Sequence, residues 1–232
     1  SWLISSTFVP NTAKSSVKQN KLMIYRWVHQ LKTPLSVIRL IAQKNEYQLD
    51  YKKIYQSAGQ MQYDLDQVLN MYKLDAIQND FHVERISLRQ IAKDSINELK
   101  SSFIERGIFP KLDVEETLLV YSDSKWLRFV LHQLLTNALK YSDSGKTITV
   151  RAYATQTATV LSVEDEGCGI QQEDIPRIFD LFFTGQNGRL RGESTGLGLY
   201  MVKQILDYLG HSIQVDSIVG VGSKFQISFE KR

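Results

Sequence analysis

Five short stretches of this sequence have residue types and spacing that could do chemistry. The first is a histidine, His29, followed by Gln30, by Thr33 four positions on and by Pro34. A proline inside a helix costs about 3 kcal/mol or more. Pro34 offers no N–H to the carbonyl of Gln30, so a helix here is bent or loosened beside the imidazole. Such a segment suits a nucleophile that must visit two partners. Thr33 lies on the same helical face as His29, where its hydroxyl could orient a water near the ring. A surface histidine beside an incidental kink fits this window as well.

The second stretch is His132 to Tyr141. Leu131, Leu134, Leu135 and Ala138 mark a buried helix face, which leaves Gln133 and Asn137 together on another face, four apart. An Asn carbonyl oxygen is a hard ligand suited to Mg2+ held among phosphates. Lys140 offers a point charge for phosphate. A solvated helix face is the competing reading. The third stretch, Asp165-Glu166-Gly167-Cys168-Gly169-Ile170, puts a carboxylate at a strand end beside a backbone of unusual freedom. Asp165 can accept a hydrogen bond from an exocyclic amine, which selects adenine over guanine. A plain turn has the same signature.

The fourth stretch is Thr195-Gly196-Leu197-Gly198-Leu199. Its glycines open a helix, so free N–H groups and the positive helix end face an anion. The polar, basic run Thr184 to Arg191 ahead of it reads as a lid that orders over phosphates. The fifth, Gly220 to Phe225, is a tight turn into the last strand, with its backbone near the nucleotide and a mostly structural role.

Two kinds of element must position these residues. From Lys21 to Asn45, apolar residues fall at Ile24, Val28, Leu31, Leu35, Ile38 and Ala42; from Tyr51 to Asp75 they fall at Ile54, Ala58, Met61, Leu65, Val68 and Tyr72. Steps alternating between four and three make a period of about 3.5, the seam of helices packed at shallow angles. Two helices cannot bury both flanks of such seams, and each large side chain left uncovered forfeits about 1.5–3 kcal/mol. A dimeric four-helix bundle solves this; docking of a single hairpin on the second domain is the alternative. After Phe81 the pattern changes to short strands, His82–Ser87, Leu118–Tyr121, Thr147–Ala154, Ala158–Glu164, Ser212–Asp216 and Gly222–Phe229, alternating with helices at about Leu88–Ile104, Lys125–Tyr141 and Leu197–Leu209. The expected fold class is α+β: a helical hairpin, then an α/β sandwich with helices on one face of a sheet. The boundaries read as a linker over 1–14, a dimerisation domain over 15–80 and a sandwich over 81–232.

Composition narrows the function classes. The chain has 232 residues, 43% apolar and 23% charged, with 13 glycines and four prolines. Intrinsic disorder and low-complexity sequence do not fit. A net charge of +3 without a Lys/Arg block gives no argument for a nucleic-acid partner. One cysteine, Cys168, excludes an internal disulfide and a Cys-rich zinc site and favours a reducing compartment. No run of about 18 apolar residues spans a membrane, and Ser1 to Asn20 does not read as a signal peptide.

The ordered set of stretches resembles the histidine-kinase ATP-binding domain. His132 to Tyr141, Glu164 to Ile170, Gly192 to Leu199 and Gly220 to Phe225 look like its N, G1, G2 and G3 boxes. Ile178-Phe179-Asp180-Leu181-Phe182-Phe183 resembles its F box, and His29 to Leu35 the H box of the phosphoacceptor domain. The resemblance runs from about Ser15 to the C-terminus. Trp27 to Pro34, with Glu193-Ser194-Thr195-Gly196, is similar to the antimicrobial-peptide-sensing kinases of Gram-positive bacteria.

That resemblance implies a GHKL (Bergerat) fold, ATP and Mg2+ as cofactors, a homodimer and a response-regulator partner. It implies an ABC transporter as a further partner. It also implies a natural protein at the cell membrane, attached through an N-terminal segment ahead of Ser1, with this chain as its soluble cytoplasmic portion. His29 is then the phosphoacceptor, and Asn137 binds Mg2+ helped by Gln133. Lys140 and Tyr141 lie near phosphate and base, Asp165 reads adenine, and Gly167 and Gly169 shape that wall. Gly196 and Gly198 hold phosphates, and Thr33 positions water for dephosphorylation of the regulator. The boxes bring Ile170, Phe182, Arg191, Thr195, Leu197 and Leu199 to the same site.

The chain departs from the family at Gln30, where most members carry an acid thought to take the imidazole proton. An amide cannot be that base. Imidazole with a pKa near 6.5 is already largely neutral at pH 7, so loss of a base costs less here than for serine. Two other functions fit parts of the pattern. A water-activating ATPase of the same superfamily needs a glutamate where Gln133 stands. A degenerate dimerising module is mildly favoured by Gln30 and opposed by Asn137, Asp165 and the glycines.

Overall fold

In a computed structural model, the described residues are 28, 31–32, 35–43, 51, 53–55, 57–59, 61–62, 65–66, 68–69, 82–185 and 195–230. His29, Gln30, Thr33 and Arg191 lie outside them, as does the linker expected over 1–14. The chain divides into two compact units, residues 1–77 and 78–232.

All described residues of 28–43 and of 51–69 are helical. The two stretches run antiparallel, because Lys32 pairs with Asp66 while Arg39 bonds Tyr55 at 3.0 Å. Gln62 donates to Ser36 Oγ at 3.4 Å between them. Among the described residues the seam is incompletely covered within the chain. Val28, Leu35, Ala42 and Ala58 are buried, whereas Leu31, Ile38, Ile54 and Met61 are exposed.

In the second unit the elements are β1 (Glu84–Ser87), α1 (Leu88–Glu98), α2 (Lys100–Arg106), β2 (Phe109–Val114), β3 (Leu119–Ser122) and α3 (Ser124–Tyr141). They continue with β4 (Thr147–Ala154), β5 (Ala158–Asp165), a 3-10 turn at Ile175–Arg177, α4 (Gly198–Tyr208), β6 (Ser212–Ile218) and β7 (Gly222–Glu230). A five-stranded sheet has the order β2-β4-β5-β7-β6, and β1 pairs with β3 in a separate ribbon. The β2–β4 pair is parallel and the other pairs of the large sheet are antiparallel.

Helix α3 is the spine of this unit. Asp123 caps it, accepting from the Trp126 N–H at 3.0 Å on one carboxylate oxygen and from the His82 N–H at 2.9 Å on the other. Leu127, Val130, Leu131, Leu134, Leu135 and Ala138 repeat every three or four residues and are all buried. They share the core with Ile148, Val150, Leu161 and Ile227 of the sheet and with Met201 and Ile205 of α4. The sheet's other face carries charge: Arg151 pairs with Asp113 at 2.9 Å, and Lys224 with Glu164 at 3.3 Å.

Two local expectations are corrected. The helix expected over Leu88–Ile104 is two helices, broken at Leu99, whose N–H tightens onto the Ile96 carbonyl at 3.1 Å. Strand β2 was absent from the sequence reading. Pro110 and three exposed positions hide it, and both belong on an edge strand, where proline's missing N–H faces away from the ladder.

Candidate nucleotide site

The carboxyl end of β5 carries Asp165. Its Oδ1 accepts from the Gly167 N–H at 2.9 Å and from the Ser223 N–H at 3.2 Å. Oδ2 takes no hydrogen bond among the described residues. Burial pushes the Asp165 carboxyl above the usual carboxylate range, and the two backbone N–H groups pull partly the other way. A carboxylate held at one oxygen and open at the other can accept from an exocyclic amine.

The end of α3 forms the adjacent wall. The Tyr141 carbonyl accepts from the Cys168 N–H at 3.1 Å, and a Cβ on Gly167 would come within 2.5 Å of that carbonyl oxygen. Helix end and loop therefore pack backbone to backbone. Beyond the loop, Gly169 (φ +71°) lies against the Ile218 carbonyl, the Ile170 N–H donates to Ser217 Oγ at 2.8 Å, and the Gly220 N–H donates to the Cys168 carbonyl at 2.9 Å. Lys140 Nζ sits 5.8 Å from the centre of the Tyr141 ring.

One turn back on α3, Asn137 is partly exposed. Gln133 is not: at 3% exposure it is buried, and a Cβ on Gly198 would stand 2.7 Å from its Oε1. The helical wheel grouped Gln133 with Asn137, but packing of α4 on α3 covers the first and spares the second. His132 beside it is held below its ordinary pKa by burial, with Glu98 opposing.

The start of α4 is open. Leu197, its N-cap, is buried and has no side-chain hydrogen bond to the first turn, while Thr195 Oγ1 accepts from the Leu197 N–H at 3.4 Å. The N-cap residue of α4 thus leaves the first N–H groups of the helix without a cap of its own, as an anion site requires. Gly196 takes φ +69°, and a Cβ there would lie 2.4 Å from the Phe182 carbonyl carbon. The Phe182 N–H donates to the Gly196 carbonyl at 3.0 Å. Phe182 itself has φ +62° and is exposed, while Leu199 in the first turn of α4 is partly covered.

The structure thus brings Gln133, Asn137, Lys140, Tyr141, Asp165, Gly167, Gly169, Ile170, Phe182, Thr195, Gly196, Leu197, Gly198 and Leu199 into linked walls. Sequence reasoning missed the direct grip of the β6–β7 turn on Asp165 through Ser223. The signal was present in Gly222-Ser223 at the start of the last strand.

Comparison with known proteins shows what this chain is similar to. Residues 122–232 match the histidine kinase-, DNA gyrase B- and HSP90-like ATPases. The sensor histidine kinase YxdK of Bacillus subtilis is 40% identical over 206 residues, covering 88% of this chain and 63% of the relative. Over most of its length the chain is similar to sensor histidine kinases. The sensor protein BceS of Bacillus subtilis is 35% identical to this chain over 217 residues, 94% of the chain and 64% of the relative. The chain thus spans a little under two thirds of the length of these relatives. The crystal structure of full-length ShkA in complex with AMPPNP shares the fold, with a TM-score of 0.71, 20% identity and coverage of 89% of this chain and 45% of ShkA.

The residues present fit an adenine nucleotide, with an open carboxylate oxygen at one end and an uncapped helix start at the other. They fit Mg2+ in a narrower sense. Among the described residues no group of three His, Cys, Asp or Glu could hold a metal, so beside Asn137 a Mg2+ ion would rely on phosphate oxygens and water.

Proposed function

We propose that this chain is the kinase portion of a two-component sensor. ATP bound by the second unit phosphorylates His29, and the phosphoryl group then passes to an aspartate of a response regulator. The observation that carries this reading is Asp165, with Oδ1 held by two backbone N–H groups and Oδ2 open for an adenine amine.

The chain's own groups divide the work. Asp165 orients the base. Lys140, Gly196 and the first N–H groups of α4 oppose phosphate charge, and Asn137, backed by the buried Gln133, takes Mg2+. Bound Mg2+ supplies charge neutralisation at the phosphates. A nitrogen of the largely neutral His29 imidazole attacks the γ-phosphorus in line, and ADP leaves with the bridging oxygen and its electron pair. Positioning and charge neutralisation dominate such a transfer. Gln30 cannot accept the imidazole proton, so it goes to another group or to solvent. Thr33 orients water for dephosphorylation of the regulator.

The homodimer rests on the exposed seam residues Leu31, Ile38, Ile54 and Met61, which a second hairpin would cover. Likeness to peptide-sensing kinases extends the reading to an ABC-transporter partner. Membrane attachment, with this chain on the cytoplasmic face, is assigned to the part of the relatives it does not span. Among the described residues no helix is long and apolar enough to cross a membrane.

The test is incubation with γ-labelled ATP and Mg2+. An acid-labile, base-stable phosphoprotein is expected. His29→Gln should abolish labelling and keep ATP binding. Label that survives acid would overturn the reading in favour of Ser or Thr chemistry.

A further inference from the structure

We infer that Ser217 is a positioning residue for adenine recognition, setting Asp165 by tying the loop after β5 to the β6–β7 turn. The inference deepens the nucleotide reading above and rests on it.

Ser217 is 7% exposed, near the end of β6. Its Oγ accepts from the Ile170 N–H at 2.8 Å, donates to the Gly222 carbonyl at 2.9 Å and meets Ser223 Oγ at 3.1 Å. A serine hydroxyl has one proton to give and two lone pairs. With the proton on Gly222, Ser223 Oγ donates back, and the hydroxyl is saturated. The Ser217 carbonyl also accepts from Gln172 Nε2 at 3.1 Å. Every one of these partners lies in the loop that follows Asp165 or in the turn that faces it.

Those two segments are also the two that hold the carboxylate. Gly167 grips Oδ1 from the loop, and Ser223 grips it from the turn. Ser217 fixes the spacing between the grips, because it bonds Ile170 on one side and Gly222 and Ser223 on the other. A looser spacing lets the carboxylate rotate, and Oδ2 then loses its aim. The Gly220 to Cys168 bond at 2.9 Å joins the same segments independently. Loss of the Ser217 hydroxyl therefore loosens the site without releasing the turn.

Nucleotide selectivity reads this directly. ATP and ITP share ribose and phosphates and differ at the purine 6-position, an amine in one and a carbonyl in the other. Dissociation constants are measured for both nucleotides on the full chain, wild type and Ser217→Ala. Wild type should prefer ATP by about tenfold or more, the scale of one hydrogen bond to a charged group. Ser217→Ala should weaken ATP by about tenfold and ITP by less than about twofold, so the preference collapses. Should Ser217→Ala not fold, Ser217→Cys fills the same place with a weak thiol donor and should show the same collapse. A preference that survives, whether both nucleotides weaken equally or neither does, overturns the inference. A wild type with no preference for ATP would sink the adenine reading itself, and this inference with it.

Discussion

Gly222 faces the backbone of Asp165 so closely that a Cβ there would stand 1.9 Å from the Asp165 carbonyl oxygen. Its φ of +145° is one that L side chains rarely adopt. Gly222→Ala must therefore push β7 away from the end of β5 and strain the turn. Overpacking of this kind costs about 1–3 kcal/mol before backbone strain is added. We expect a loss of at least ~2 kcal/mol in denaturant unfolding, together with weakened ATP binding because Ser223 moves with Gly222. An alanine variant of wild-type stability and affinity would show that the contact does not constrain the site.

Asp165→Asn keeps the shape and, with its amide oxygen held by the Gly167 and Ser223 N–H groups, puts an NH2 donor where Oδ2 accepts. ATP affinity should fall by about 10- to 100-fold, as for a hydrogen bond to a charged group. The pH dependence has a definite sign. Burial raises the folded-state pKa of Asp165, so between its ordinary value and the raised one the folded chain holds more protons than the unfolded chain. The contribution of Asp165 to stability is thus highest at low pH and declines as pH rises through that window. Nucleotide binding runs the other way: the amine needs the carboxylate, so affinity falls as pH drops through the raised pKa. Titrating ATP binding and urea stability against pH in wild type and Asp165→Asn checks both slopes. Each slope attributed to Asp165 should vanish in the variant.

How much of this was legible beforehand differs by element. Asp165, Gly167 and Gly169 could be read because a carboxylate between a β-branched strand and paired glycines is a local pattern. Strand β4 matched its expected limits at Thr147–Ala154, since one buried face against polar residues is a period-two signal. Gln133 could not be placed, because its burial depends on where α4 crosses α3, a contact between residues 65 positions apart in sequence (Gln133 and Gly198). Ser217 was invisible for the same reason. Nothing near Asp216-Ser217-Ile218 announces that its hydroxyl ends beneath a loop almost fifty residues upstream (Ile170). Strand β2 was hidden by Pro110 and by its edge position.

The half-covered seam of the first unit predicts its partner. Leu31 and Ile38 are seven residues apart and exposed, interleaved with buried Val28, Leu35 and Ala42. A second hairpin would bury them at about 1.5–3 kcal/mol per side chain. Leu31→Glu with Ile38→Glu should turn a dimer into a monomer in light scattering and keep most of the helical circular dichroism. A wild-type chain that is monomeric at micromolar concentration would defeat the bundle.

Phe182 holds a left-handed backbone with its ring mostly in solvent, at φ +62° and 64% exposed. For a side chain with a Cβ this conformation costs about 1–2 kcal/mol, and little burial compensates. Phe182→Gly should relieve that cost, offset in part by about 0.4–1 kcal/mol of extra unfolded-state freedom. The net gain is then between zero and about 1.6 kcal/mol, a rise in Tm of up to about 6 °C for a unit of this size. Phe182→Ala removes the same ring and keeps the strain, so it should bring no gain. The difference between the two variants isolates the backbone from the side chain. Equal melting temperatures for glycine and alanine would mean that the segment relaxes out of the left-handed region at no cost, and that its bond to Gly196 does not hold it there.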